Sequence, residues 1–347
     1  MELSEKVEES PTKQQEELKV NFLHINHSDK NLERVWQSAK NNDVILLETI
    51  DMSQEDRDES ERVINSVSSE GSPLVRSKIL ANLYSNTDFI SQIIRKVILE
   101  GKEFHYIDIL DNDEAHKFAD DGNKYQHQAF KNFQDGNFGT SFELFHLAII
   151  AKAQSHNTRE NLVSKQVSEL TTKNAARWKG KQIGVIQGMS HSKTYGIFKR
   201  DNPTIKTSRS FLKEDRFVFP LHNETKKRLL HGSTQDRELT IKKSFLFENL
   251  IFPHVYSTSV VKDSNIENIE KISRSLSNDE VDSIFKRLSE IETFAKTLPN
   301  PAKQSYLYKH LDILAQQTIE SYNNLSQEKQ TFHADRLNEN SIINNGT

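Results

Sequence analysis

Along the first half of the chain, apolar runs of strand length alternate with apolar positions at helical spacing. Leu18–Ile25 (LKVNFLHI) reads as a strand. Behind it Leu32, Val35, Trp36 and Ala39 recur at helical spacing, with Ser28 or Asp29 as N-cap. Asn41-Asn42 breaks that helix. Asp43–Leu47 (DVILL) is a mostly apolar strand with Glu48 at its end. Strand, helix and strand together take about thirty residues, the length of one βαβ unit. Phe104–Leu110 (FHYIDIL) predicts a third strand, and Gln182–Gln187, set between Gly180 and Gly188, a fourth. Further strands are expected at Lys206–Leu212 and Arg216–Pro220.

The helical segments are of several kinds. Asp51–Ser68 is charged on most faces, with only Val63, Ile64 and Val67 as an apolar stripe, so a solvated helix is expected. A helical region starts at Ser72-Pro73 and ends at Gly101, a good C-cap. Helices are also expected over Glu114–Phe133, Ser141–Lys173 and, shorter, Tyr195–Lys199. Residues 277–297 and 302–325 read as two amphipathic helices joined around Pro299 and Pro301. Strands alternating with helices predict an α/β fold: a mostly parallel central sheet flanked by helices, with a C-terminal helical hairpin. The expected partition is a disordered lead-in (1–17), an α/β domain (18–260), the hairpin (275–326) and a flexible tail (327–347).

Composition narrows the chemistry. The 347 residues carry 46 basic and 50 acidic side chains, a net charge of −4, which argues against a nucleic-acid partner. There is no cysteine, so disulfides, thiolate metal sites and cysteine nucleophiles are excluded. Met1–Ser10 is acidic and polar, unlike a secretory signal. The longest apolar stretches, Phe89–Leu99 and Leu144–Ala153, are interrupted by polar residues, so no membrane span is expected. A cytoplasmic protein is the expectation, with signal-less export left open.

In open α/β sheets, ligands bind beyond the carboxyl ends of the strands. His27, Glu48 and His191 all stand at or just past such ends. Two imidazoles and a carboxylate can hold a divalent metal, or work as a base with an orienting acid. A single histidine at a strand end is more often a core-edge residue with satisfied hydrogen bonds; the shared position is what raises the three together. Glu48 follows four apolar residues, so its carboxylate needs a partner. Arg159 is an available cation. His222, His231 and His254, near Lys226, Lys227 and Arg228, read as a basic helical face. No Gly-x-Ser-x-Gly elbow, P-loop or dinucleotide fingerprint is present.

Taken in order, Phe22–His27, Val44–Glu48, Arg159–Val163 on a helix, and Ile183–Gln187 with Gly188-Met189-Ser190-His191 resemble one superfamily. It joins the erythromycin esterases, the ChaN-like haem-binding proteins and the TraB/Tiki proteins. There a Gly-x-x-His follows the first strand, a Glu the second, an Arg with Asn or Asp lies on a helix, and a second Gly-x-x-His comes last. The resemblance covers roughly residues 18–215. It implies His27, Glu48, Arg159 and His191 as catalytic residues, His27, Glu48 and His191 as metal ligands, and Gly188 and His24 beside a cofactor. Two positions depart from the pattern: His24 replaces the first Gly, and Glu160 follows Arg159, with Asn161 one place on. The activity implied is hydrolysis of peptide or ester bonds in a peptide or small-molecule substrate, with Mn, Co or Zn. The alternatives are a haem or small-molecule binder of ChaN type, with His24 as an extra ligand, or a non-catalytic protein that meets a protein partner through its C-terminal helices.

Overall fold

The computed structural model describes residues 17–25, 32–48, 52–83, 88–110, 113–188, 191, 193–211, 225, 234–258 and 266–323. His27, the strand expected at 216–220, His222, His231 and the tail from 327 lie outside them. Among the described residues no helix is long and apolar enough to cross a membrane.

The fold is α/β. Five strands, β1 (Lys19–Ile25), β2 (Val44–Glu48), β3 (Glu103–Ile107), β4 (Gln182–Gly188) and β5 (Lys206–Phe211), form one sheet in the order β3-β2-β4-β1-β5. Every pairing is parallel. The chain thus leaves β1, skips a place to β2, steps outward to β3, and returns to fill the gap with β4. It then crosses to the far side of β1 for β5. The connections leaving β1 and β4 run in opposite directions, so the switch point of the sheet lies between these two neighbours.

Contacts gather the chain into two compact units, Met1–Asp111 with Glu160–Glu214, and Asn112–Arg159 with Asp215–Thr347. The stretch 18–260, expected as one domain, is thereby shared between them.

The first unit holds the sheet. Alternation along its strands separates two apolar faces. Leu23, Ile25, Ile45, Leu47 and Ile186 pack against α1 (Leu32–Ala39), α2 (Gln54–Ser68), α3 (Pro73–Leu83) and α4 (Phe89–Glu100). Val20, Phe22, Val44, Leu46, Ile183 and Val185 pack on the other face against Val163 and Val167 of a long helix, Trp178, and Phe198 of α7 (Lys193–Asp201). Because both faces are covered, β2 is buried at all five positions. Gly101 closes α4 at φ 67°, the left-handed conformation that suits glycine at a helix end.

Edge strand β3 is covered in an unexpected way. Asn65 of α2 accepts from the Phe104 N–H and donates to the Phe104 carbonyl, both at 2.8 Å. Glu61 accepts from the Tyr106 N–H at 2.7 Å. Arg57, 4% exposed, donates to the Asp108 carbonyl at 2.7 Å and to the Ile109 carbonyl. Residues 57, 61 and 65 are a turn apart and share one helix face. The charge run of α2 is therefore solvated only in part: one polar stripe takes the place of a sixth strand, which blunts the edge.

The second unit is helical. It contains α5 (Glu114–Gln134), the first part of α6 (Phe138–Lys173), α8 (Thr234–Leu246), a π-helical turn (Phe247–Ile251), α9 (Phe252–Thr258), α10 (Ile266–Ser275), α11 (Asn278–Ala295) and α12 (Asn300–Asn323). Its core is built on aromatics: Phe245 lies 5.4–5.7 Å from Phe133, Phe142, Phe145 and Phe285. Ser277 and Glu280 form a capping box that starts α11. Val281, Ile284, Leu288 and Ile291 of α11 are buried in the same core, with Leu307 and Leu314 of α12. Helix α6 passes from this unit into the first between Arg159 and Glu160 without a break.

Candidate functional site

On the sheet face under α6 and α7, the rows across the central strands are apolar until the last. Leu46, Val185 and Phe22 stand in register, and so do Gln187 and His24 one step further on. Glu48 follows Leu47, the register partner of Ile186, and so joins the Gln187 row. The carboxyl rim at the switch point is thus a polar row of buried residues, Glu48, Gln187 and His24. Sequence alternation alone puts them on one face, because each lies two residues beyond an inward apolar one.

The row is tied to His191. Its Nε2 lies 3.1 Å from Glu48 Oε1, and the other carboxylate oxygen of Glu48 accepts the Gly188 N–H. A carboxylate on Nε2 fixes that nitrogen as the donor, which makes Nδ1 the basic nitrogen of the neutral ring. Gln187 Nε2 donates to the His191 carbonyl at 3.0 Å and lies 3.2 Å from His24 Nδ1. An amide nitrogen only donates, so His24 Nδ1 is the acceptor of that contact. The His24 ring stacks on Phe211, with centroids 4.9 Å apart. Gly188 contributes its backbone, and nothing larger, to the Glu48 carboxylate.

Two further side chains close over the rim. Glu160 is fully buried and accepts the Lys193 N–H at 3.0 Å, at the start of α7. Burial disfavours the Lys193 ammonium, and the Glu160 carboxylate partly offsets this. Gln166 holds the end of β3, accepting from the Asp108 N–H at 2.9 Å and donating to its carbonyl at 2.7 Å. Arg159 is half-buried on α6 beside Glu160. One ligand atom of Glu160 lies within 4.8 Å of one of His191. An imidazole and a carboxylate are ligand types that Zn or a similar divalent ion takes.

Two oxygens at this rim, Gln187 Oε1 and Thr194 Oγ1, are buried with no hydrogen-bond partner among the described residues. Leaving such a group unsatisfied costs about 1–3 kcal/mol. Buried orphans of this kind mark places where water, an ion or a ligand is taken up.

A second histidine cluster sits on β3. His105 Nδ1 lies 2.9 Å from Glu61 and Nε2 3.1 Å from Glu103. Trp178 donates to Glu103 at 2.9 Å, Arg177 pairs with it, and Lys181 stands 3.5 Å away. Burial works against charge on His105, but the two carboxylates outweigh it and raise its pKa to about 9. Burial likewise works against the Glu103 carboxylate, and hydrogen bonds from His105 and Trp178, with the charge of Arg177, bring it down to about 2.

Comparison of the chain with family models, curated proteins and solved structures finds no match. Of the residues picked out from sequence, the fold brings Glu48, Gly188, His191 and His24 to one rim; Arg159 belongs to the second unit. Sequence reasoning passed over Gln187 and Glu160. Gln187 gave no signal beyond its place at the end of β4.

Proposed function

We propose that the chain is a hydrolase of peptide or ester bonds, a divergent relative of the erythromycin esterase, ChaN-like and TraB/Tiki superfamily, working at the Glu48–His191 pair. The observation that carries this reading is the buried Glu48–His191 contact at the switch point, with unsatisfied oxygens of Gln187 and Thr194 beside it.

Glu48 holds His191 through Nε2 and stabilises the ring when it becomes charged. Nδ1 takes a proton from the attacking water, whose oxygen adds to the scissile carbonyl carbon. The protonated ring then gives that proton to the leaving amine or alcohol as the carbon–heteroatom bond breaks. Gln187 fixes the His191 backbone and orients His24, which serves as a wall of the site. Arg159 is the cation assigned to the oxyanion.

In a metal-dependent form of the same site, in place of the base role of Nδ1, a divalent ion such as Mn, Co or Zn would be held by His191 and Glu160, and Glu48 would then stand behind His191 as its outer partner. It would polarise the carbonyl and lower the pKa of water. The His27 ligand role belongs to the same proposal.

The test is a panel of peptide and ester substrates with Mn, Co and Zn, run on the wild type, Glu48→Gln and His191→Ala, with metal content measured in each. Turnover lost in both variants, at unchanged thermal midpoint, supports the reading. Turnover equal in all three, or a Soret band on haem titration with no turnover, overturns it.

A further inference from the structure

The helical unit carries a cavity of its own, of about 320 Å³. Asn123, Gln126, His127 and Phe130 line one wall, at positions i, i+3, i+4 and i+7 of α5. The π-helical turn lines the other with Glu248 and Asn249. Gln126 joins the walls: its Nε2 donates to Glu248 at 2.5 Å, and its Oε1 accepts from the Lys152 ammonium behind it. Burial disfavours that ammonium, and Glu248 favours it.

Two local costs maintain this arrangement. A glycine, Gly122, interrupts α5, and a Cβ there would lie 2.6 Å from Lys152 Cγ, so the glycine lets Lys152 cross the helix. The π-turn is a rare backbone form that recurs at functional sites.

The chemistry of the walls defines the ligand. Glu248 is the charged side chain of the lining, and Lys152, behind Gln126, offsets its charge, so the site favours neither an anion nor a cation by net charge. Gln126, Asn123, Asn249 and His127 offer both donors and acceptors. Phe130, 40% exposed, offers a flat apolar face. The volume is at the small end for ligand sites, which suits one or two rings. We infer that this cavity binds a neutral, planar heteroaromatic ligand with donors and acceptors on one edge, of the nucleoside class, stacked on Phe130 and read by Gln126 and the two asparagines.

The experiment is calorimetric titration of the full chain with adenosine and with cytidine, and with spermidine and inorganic phosphate as charged controls. The expected result is saturable 1:1 binding of a nucleoside. Phe130→Ala should weaken it by about tenfold, the range for loss of a base–aromatic stack. Gln126→Leu should abolish it, and His191→Ala should leave it intact, so the outcome is separable from that of the hydrolase site. Phe130 is exposed, so its removal leaves the fold in place. No heat with either nucleoside at millimolar concentration, equal binding by Phe130→Ala, or tighter binding of spermidine or phosphate would overturn the inference.

Discussion

His191 and His105 both stand about 3 Å from a glutamate, and both are mostly buried, with side chains 9% and 15% exposed. What surrounds them differs. His105 has a carboxylate on each ring nitrogen, and Glu103 is in turn held by Trp178, Arg177 and Lys181. That ring spends both nitrogens on the fold. His191 takes the Glu48 carboxylate on Nε2, which sets its tautomer, and it lies at the strand ends where the sheet's connections diverge. An imidazole at a switch point stands where ligands bind in open α/β sheets; one held by two carboxylates along an edge strand ties that edge together. Proximity to a carboxylate does not separate the two cases. The place in the sheet does.

The largest expected effect tests that division directly. Glu48→Gln or His191→Ala should lower kcat by about 10²–10⁴-fold, the usual contribution of a positioned acid–base group. His105→Gln should leave kcat unchanged and lower the thermal midpoint. Steady-state kinetics beside thermal melts on the three variants would show it. The reverse pattern, with His105→Gln inactive and His191→Ala active, would break the comparison.

Next in size is the pH dependence of stability. His105 is raised from 6.5 to about 9 in the folded chain. Its contribution is therefore fully present below pH 6.5 and is lost as pH rises through about 9. The shift corresponds to at most about 3 kcal/mol. Glu103, lowered from 4.5 to about 2, has the opposite sense: its contribution is present above pH 4.5 and is lost as pH falls towards 2. The two describe one shared interaction and do not add. Urea midpoints at pH 6 and pH 10 should differ more for the wild type than for His105→Gln. An identical alkaline loss in both would assign the titration to other groups.

How far these two clusters were visible in the chain depends on what holds each residue. Val44–Leu47 announces a strand because both faces of β2 are covered, so an uninterrupted apolar run is the only pattern it can carry. Glu48 stands out as the residue where that run stops. His191 stands out through the glycine before it. The strand order was not visible: β4 slots between β1 and β2 from more than a hundred residues away, and such pairing leaves no local trace. Nor was the role of α2. Arg57, Glu61 and Asn65 look like any solvated stripe until the edge of β3 is laid against them. Glu160 read as a departure from a motif, yet it is fully buried against the start of α7.

That edge gives the next prediction. Asn65→Ala removes two hydrogen bonds to Phe104 and leaves a backbone pair of β3 without its side-chain partner. A cost of about 1–3 kcal/mol is expected in chemical denaturation. Because β3 carries His105 and Glu103, the His105 titration should shift with it, while the Glu48–His191 pair, three residues beyond the Phe104 row at the carboxyl end of β2, should keep its activity. Loss of kcat in Asn65→Ala, matching that of Glu48→Gln, would mean that the two clusters are coupled through the sheet.

The smallest effect is expected from Arg177→Met. Arg177 pairs with Glu103, but its side chain is 58% exposed, so water screens the pair. Exposed ion pairs contribute about 0–1 kcal/mol, and less in salt. Glu103 also keeps Trp178, His105 and Lys181 in this variant. The stability at neutral pH should therefore change little, and the acid limb should move only slightly upward as Glu103 loses one cation. If Arg177→Met instead costs as much as His105→Gln, the network is held by its exposed member. The contrast with His191 would then rest on position in the sheet alone, without the closed ring of partners around His105.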